Sequence, residues 1–288
     1  MTSQREIVLV DCPDEVGLIH RITGVLGSHR LNIENNHEFV DTAARHFFFR
    51  AEVAPVAGAV PPGAVEADLV RVLSDKARVR VTRAERRPIV VCATREPHCL
   101  GELLLLDAIG DLPGRIVAVV SNHDVLRGLV ERFGLPFHHV SHRSAGGQDL
   151  PREAHEAELA GVIDGYAPAY VVLARYMRVL SEGFVARYAQ RIVNIHHSFL
   201  PAFAGASPYR QAFERGVKVI GATAHVVTAD LDDGPIITQD VIHVDHSFTP
   251  ARMAQAGRDV EKLVLAKAVR LMLEERVFLH GRRTVVFE

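Results

Sequence analysis

Residues 89–93, 116–120, 136–140 and 170–174 read as four short strands, largely apolar throughout, separated by stretches of helical spacing. A strand that alternates apolar and polar residues can give one face to water. A strand apolar throughout cannot, so both faces of its sheet must be covered. Helical periodicity at residues 100–109, 125–133 and 153–163 supplies that cover, together with the crossovers that parallel strands require. The pattern predicts an α/β chain with a Rossmann-like, mostly parallel sheet. Ligands of such sheets sit at the carboxyl ends of the strands. Those ends here are Thr94-Arg95, Ser121-Asn122 and residues 174–180. A long amphipathic helix is expected over residues 250–279.

The front of the chain follows a different rhythm, β-α-β-β-α-β. Strands are expected at residues 7–10, 31–40, 46–53 and 79–82, with helices at 17–29 and 64–75 and a Pro/Gly/Ala-rich loop at 54–63. Leu18, Ile19, Ile22, Val25 and Leu26 give the first helix its apolar stripe. The turn Asp41-Thr42-Ala43 joins the middle strands, and Phe47, Phe48 and Phe49 are expected in the sheet core. This order is that of a small ferredoxin-like domain, a four-stranded antiparallel sheet with two helices on one face. The charged stretch 83–87 reads as a linker, giving domains of residues 1–84 and 85–288.

With 33 basic and 35 acidic side chains the formal net charge is −2, and no basic run marks a nucleic-acid face. No window reaches the roughly 18 consecutive apolar residues of a membrane helix. Residues 1–9 lack an export signal, and Cys12, Cys92 and Cys99 lack paired spacing, so a cytoplasmic location with free thiols is expected. Sixteen histidines invite a metal. His138, His139 and His142 cluster without any accompanying ligand motif, however, and His196 and His197 adjoin at a strand end, where neighbours point to opposite faces. No metal site is expected.

The densest polar grouping runs from Arg191 to Gly205. An apolar strand there enters Asn194 and His196, two apart and so on one side of the strand. The acidic turn Leu231-Asp232-Asp233-Gly234-Pro235 follows, and between them lies a strand carrying Thr223 and His225 on alternate positions. An amide, an imidazole and a carboxylate in one cleft suit attack on a formyl carbon. Side-chain N–H groups stabilise the oxyanion, and the carboxylate relays the nucleophile's proton or holds the histidine as imidazolium. Ser198 has no nucleophile-elbow motif around it. Taken singly, these residues could also bond to loop backbone or cap a turn.

Asn194-Ile195-His196, with Phe199-Leu200-Pro201 and the later Leu231-Asp232 and Gly234-Pro235, closely resembles the folate-dependent formyltransferase family from about residue 88 onward. The resemblance implies that Asn194, His196 and Asp232 are catalytic. Residues 173–181 resemble the family's pterin-binding segment, which assigns Met177, Arg178, Val179 and Leu180 to the substrate. His225 resembles a family histidine near the aspartate and is placed with the substrate-binding residues, though it is also readable as a satisfied strand histidine.

The family uses several acceptors. Residues 94–101 hold one glycine, an acid and a proline, a poor phosphate cradle for a ribonucleotide acceptor, and a transfer-RNA acceptor would want a basic surface. His197, the segment Pro97-His98-Cys99-Leu100-Gly101, the segment Gly205-Ala206-Ser207-Pro208-Tyr209 and residues 240–246 look most like the hydrolytic branch, where water replaces the amine. The implied substrate is 10-formyltetrahydrofolate, with no further cofactor. The rival within the family is formyl transfer onto an amine.

The segment Asp11-Cys12-Pro13-Asp14-Glu15-Val16-Gly17-Leu18-Ile19, followed by Asn32-Ile33, resembles the ACT regulatory domain. This implies an amino-acid effector near Asp14, Gly17, Leu18 and Asn32, its carboxylate met by the helix N-terminus, and a homo-oligomer built on sheet edges. The bland alternative is a domain that only assembles subunits. A rival of another class, a sensor on a dead enzyme scaffold, would have lost a catalytic residue; all three are present.

Overall fold

The computed structural model describes residues 5–56, 61–201 and 208–288. Part of the expected 54–63 loop and residues 202–207 of the Gly205-to-Tyr209 segment lie outside the described residues. The chain divides into two compact units, Met1–Glu85 with Phe287–Glu288, and Arg86–Val286.

The first unit contains β1 (Glu6–Pro13), α1 (Leu18–Ser28), β2 (Leu31–Asp41), β3 (His46–Pro55), α2 (Ala64–Val72) and β4 (Arg78–Arg83). Its sheet has the order β2-β3-β1-β4, with every neighbouring pair antiparallel. One sheet face (Val8, Val10, Phe47, Phe49, Ala51) packs on Leu18, Ile22, Val25 and Leu26 of α1 and on Val65 and Leu69 of α2. Ile22 and Leu26 are fully buried, worth about 1.5–3 kcal/mol each. Phe47, Phe48 and Phe49 are all core, as expected. The β2–β3 turn is closed by Asp41, whose carboxylate accepts the Ala44 N–H at 2.9 Å. Helix α2 stops at Val72, short of the expected residue 75, because Leu73 turns extended and Ser74 takes a turn bond from Ala77 N–H.

The second unit contains β5 (Arg87–Ala93), α3 (His98–Ile109), β6 (Gly114–Ser121), α4 (Arg127–Arg132), β7 (Phe137–His139), α5 (Arg152–Gly165), β8 (Tyr170–Ala174) and α6 (Glu182–Arg187). It continues with β9 (Ile192–His196), α7 (Pro208–Glu214), β10 (Val219–Val226), β11 (Ile236–His243), α8 (Pro250–Leu273), β12 (Val277–His280) and β13 (Arg283–Val286). The large sheet has the order β11-β10-β9-β8-β5-β6-β7. Strands β9, β8, β5, β6 and β7 run parallel. Successive residues of β5 feed opposite layers. Ile89, Val91 and Ala93 join the core formed with α3 and α8, while Val90 and Cys92 join that formed with α5 and α6. This is the two-sided burial that the apolar runs required.

Strands β10 and β11 depart from the parallel rule. Residues 227–235 are too few for the crossover that a parallel pair needs, so the two strands form a hairpin. The C-terminal helix also ends at Leu273, not near residue 279. Glu275 adopts φ +53 and breaks the helix, and Val277–His280 folds back on Arg283–Val286 around Gly281. The expected helix start at 125 is instead a 3-10 turn, Asp124–Leu126, with α4 following. Among the described residues no helix is long and apolar enough to cross a membrane.

Candidate active site

Asn194 and His196 lie at the C-terminal end of strand β9, on one side of it, and antiparallel β10 runs alongside. The register sets Asn194 opposite His225 and His196 opposite Thr223. Directly opposed side chains on an antiparallel pair lie within reach of each other, and Asn194 Nδ2 is 3.1 Å from His225 Nε2. His225 Nδ1 lies 3.2 Å from the Val226 carbonyl, to which it donates. That leaves Nε2 as an acceptor, so the Asn194 amino group must face it, with a second N–H to spare. Burial pushes the His225 imidazole below its ordinary pKa, which suits this neutral tautomer.

Asp232 sits in the β10–β11 turn with φ +55, a left-handed conformation that a short acidic side chain tolerates. The turn closes tightly. Val226 N–H donates to Pro235 O at 2.9 Å, and a Cβ on Gly234 would stand 1.7 Å from Val226 O, so only glycine fits. Asp232 Oδ2 thereby comes within 3.1 Å of His196 Nδ1. The bond from His196 holds the Asp232 carboxyl below its usual range. His196 is 5% exposed, and its Nε2 is buried without a hydrogen-bond partner among the described residues. His225 Nε2 is 3.8 Å from Asp232 Oδ1, beyond a hydrogen bond.

Behind these groups Thr223, fully buried, ties down the loop after β9. Its hydroxyl donates to Ser198 O at 2.9 Å and accepts from Leu200 N–H at 3.0 Å and Gln239 Nε2 at 2.8 Å. Sequence reasoning noted Thr223 only as a polar residue on that strand.

The cluster opens on a cavity of about 700 Å³, lined by Asn194, His196, His225 and Asp232 and by all four of Met177, Arg178, Val179 and Leu180. The 175–180 segment is anchored by Met177 N–H donating to Thr94 Oγ1 at 3.0 Å and by Ser181 N–H donating to Glu156 at 2.7 Å. Met177 and Val179 remain 55% exposed, free to meet a flat apolar ligand.

His197 also lines the cavity. Strand alternation ends at His196, so the two imidazoles do not point to opposite faces; their ring centroids are 5.2 Å apart. Burial, aided by the Arg175 charge, pushes His197 down to about 4.

A second polar cluster in the same cavity escaped the sequence reading. Glu261 of α8, 0% exposed, accepts from Tyr209 OH at 2.5 Å and pairs with His98 Nε2 at 2.7 Å, and Arg175 Nε lies 3.4 Å away. Gly257, one turn earlier, leaves room for Tyr209; a Cβ there would stand 2.0 Å from its hydroxyl. Burial opposes ionisation of Glu261, but His98, Arg175 and Tyr209 outweigh it and hold the carboxyl below its ordinary pKa.

The side-chain atoms of His98, Cys99 and Glu261 lie within 4.8 Å of one another, close enough to suggest a metal. The adjacent guanidinium and the direct His98–Glu261 bond suit a hydrogen-bonded cluster better, and burial raises the Cys99 thiol far from ionisation. His138 and His142, singled out for their spacing, turn to separate partners, Tyr166 and Asn122.

In the first unit, Gly17 stands at φ +86 before α1, with Asp14 and Asn32 exposed. Leu18 is core, 3% exposed, so its backbone N–H alone is available to a ligand there.

A mostly parallel sheet with Asn194 and His196 at the end of one strand and Asp232 in an adjoining turn is consistent with a formyl transferase. The chain matches the family described as Formyl transferase over residues 87–269 and that described as ACT domain over residues 7–72. It is 50% identical to a formyltetrahydrofolate deformylase of Haemophilus influenzae, over 98% of this chain and 99% of that protein. A crystal structure of a formyltetrahydrofolate deformylase from Pseudomonas syringae superposes with a TM-score of 0.93 at 38% identity, covering 100% of this chain and 96% of the other. A glycinamide ribonucleotide transformylase structure from Symbiobacterium toebii matches 70% of this chain and 95% of its own at a TM-score of 0.66 and 33% identity. The chain belongs to the formyltetrahydrofolate deformylase family.

Proposed function

We propose that the protein hydrolyses 10-formyltetrahydrofolate to formate and tetrahydrofolate, with Asn194, His196 and Asp232 as catalytic residues. The observation that carries these roles is the convergence of the three side chains on one cavity, with Asp232 bonded to His196 at 3.1 Å. Water attacks the formyl carbon, and the carbonyl π pair moves onto oxygen. The spare Asn194 N–H and, in its imidazolium form, the unpartnered Nε2–H of His196 stabilise that oxyanion. The Asp232–His196 pair takes the proton released by the attacking water. Collapse of the intermediate breaks the carbon–nitrogen bond, and the proton passes to the departing folate nitrogen. Formic acid leaves and ionises in solution. The formylated folate is the substrate, and the scheme calls for no metal or separate cofactor.

Met177, Arg178, Val179 and Leu180 are assigned to the pterin side, and His225 to orienting Asn194. In the cell the reaction supplies formate for purine synthesis and balances the one-carbon folate pool, in the cytoplasm. The ACT unit binds an amino-acid effector near Asp14, Gly17 and Asn32, at the N-terminus of α1, and its edge strands support a homo-oligomer. Calorimetry of the full chain against single amino acids tests the effector; no heat with methionine, glycine or serine leaves the unit a subunit-assembly device.

The assay for the activity is purified protein with 10-formyltetrahydrofolate and no acceptor. Formate released in step with tetrahydrofolate supports hydrolysis. Turnover that strictly needs an added amine overturns it.

A further inference from the structure

Three histidines line the cavity, and two of them are tied. His196 is bonded to Asp232, and His225 lies between Asn194 and the Val226 carbonyl. His197 is different. It is half-buried, and its ring nitrogens make no hydrogen bond among the described residues. The ring is held instead by its aromatic neighbours, with centroids 5.2 Å from that of His196 and 6.3 Å from that of Tyr209. Tyr209 is fixed in turn by its bond to Glu261 and by the space left at Gly257. Burial, aided by the charge of Arg175, which follows strand β8 at φ +61, keeps the His197 imidazole neutral down to about 4. A neutral imidazole presents one N–H donor and one bare nitrogen that accepts. His197 thus brings an unused acceptor to the edge of the reacting centre, on a support that also keeps it uncharged.

We propose that His197 positions the attacking water, an inference that rests on the hydrolysis proposed above. Water attacking a carbonyl carbon must point a lone pair at it, so its two hydrogens are best held by acceptors on the far side. Asp232 faces one hydrogen, which leaves as the proton. The bare nitrogen of His197 accepts a hydrogen bond from the other, which stays on oxygen and departs within formic acid. The two acceptors are near enough for the Asp232 charge to act on the His197 ring. An imidazole of such low basicity holds water without taking its proton, so the transfer stays with the Asp232–His196 pair. The Glu261 cluster then serves the reaction at one remove, by fixing Tyr209 against His197.

The test compares His197→Phe, which keeps the ring packing and loses the acceptor, with His197→Asn and His197→Gln, which each restore an amide oxygen. His197→Phe should lower kcat about 10²-fold, with KM for 10-formyltetrahydrofolate nearly unchanged. One of the two amide variants should recover about tenfold of that loss. Hydroxylamine, a stronger nucleophile, does not depend on the lost bond. With it present, the ratio of formohydroxamate to formate should rise about tenfold in His197→Phe over wild type. Wild-type kcat in folded His197→Phe overturns the positioning role, as does a loss confined to KM or an equal loss of both products. If His197→Phe does not fold, the same product ratio in His197→Ala decides. Wild type that releases no formate without an amine is a separate failure, which overturns the hydrolysis reading and this inference with it.

Discussion

Two carboxylates line one cavity and are organised in opposite ways. Glu261 is enclosed, 0% exposed, with one oxygen bonded to His98 and the other to Tyr209, and the Arg175 charge nearby. Asp232 is bonded to one imidazole, and the far nitrogen of that imidazole is left without a partner. A buried carboxylate with each oxygen bonded to a different element ties those elements together; one bonded to a single imidazole whose far nitrogen is unpartnered can pass a proton. The contrast separates scaffold from chemistry within a single pocket.

Exchanging each group for a neutral one should reveal the difference. Asp232→Asn is expected to lower formate release about 10³-fold or more with the fold intact and a smaller fall in thermal midpoint than loss of Glu261 brings. Near wild-type turnover would remove Asp232 from the chemistry. Glu261→Ala should act first on stability, costing about 4 kcal/mol in a denaturant melt, because His98 and Tyr209 lose a buried acceptor and Arg175 loses its counter-charge. An unchanged midpoint would make the two carboxylates alike. Asn194→Ala should reduce kcat by about 10²-fold, the usual loss for an oxyanion donor, and a change confined to KM would reassign it to binding.

The smallest effect is one of pH. The unfolded chain protonates His197 near 6.5, whereas the folded chain resists until about 4. Stability contributed by the neutral ring is therefore present above 6.5 and declines as pH falls, by about 2 kcal/mol down to pH 5. His197→Gln should flatten that slope. Asp232, whose pKa is depressed, contributes in the other sense, and its stabilisation is lost only below the ordinary carboxylate range, so the two are separable in one titration of stability.

The Asp232 cluster was legible in the sequence because two of its members share a strand at the alternation period and the third sits in a turn of recognisable composition. The Glu261 cluster was not. Its partners His98 and Tyr209 lie 163 and 52 residues away in sequence and meet it only through packing of α3 and α7 on α8. Arg175 lay inside a quoted segment, yet only its left-handed backbone and unpartnered nitrogens mark it out. The C-terminal hairpin was hidden for another reason: Val277 and Leu279 continue the apolar spacing of α8, and the break at Glu275 leaves no glycine or proline as a sign. In the first unit, Leu18 was named for its place in a motif, but its side chain serves the core.

The β9–β10 ladder sets reactive residues on one strand against supporting ones on the other, Asn194 against His225 and His196 against Thr223. A mutational screen scored by growth or turnover alone would register damage on both strands with similar severity. Thr223, which holds the loop beside the histidine, and Gly234, which lets Asp232 approach, would enter such a map as false catalytic positions. Measuring abundance of folded protein beside activity would sort them: the reactive residues would lose activity at full abundance, and the supporting ones would lose both.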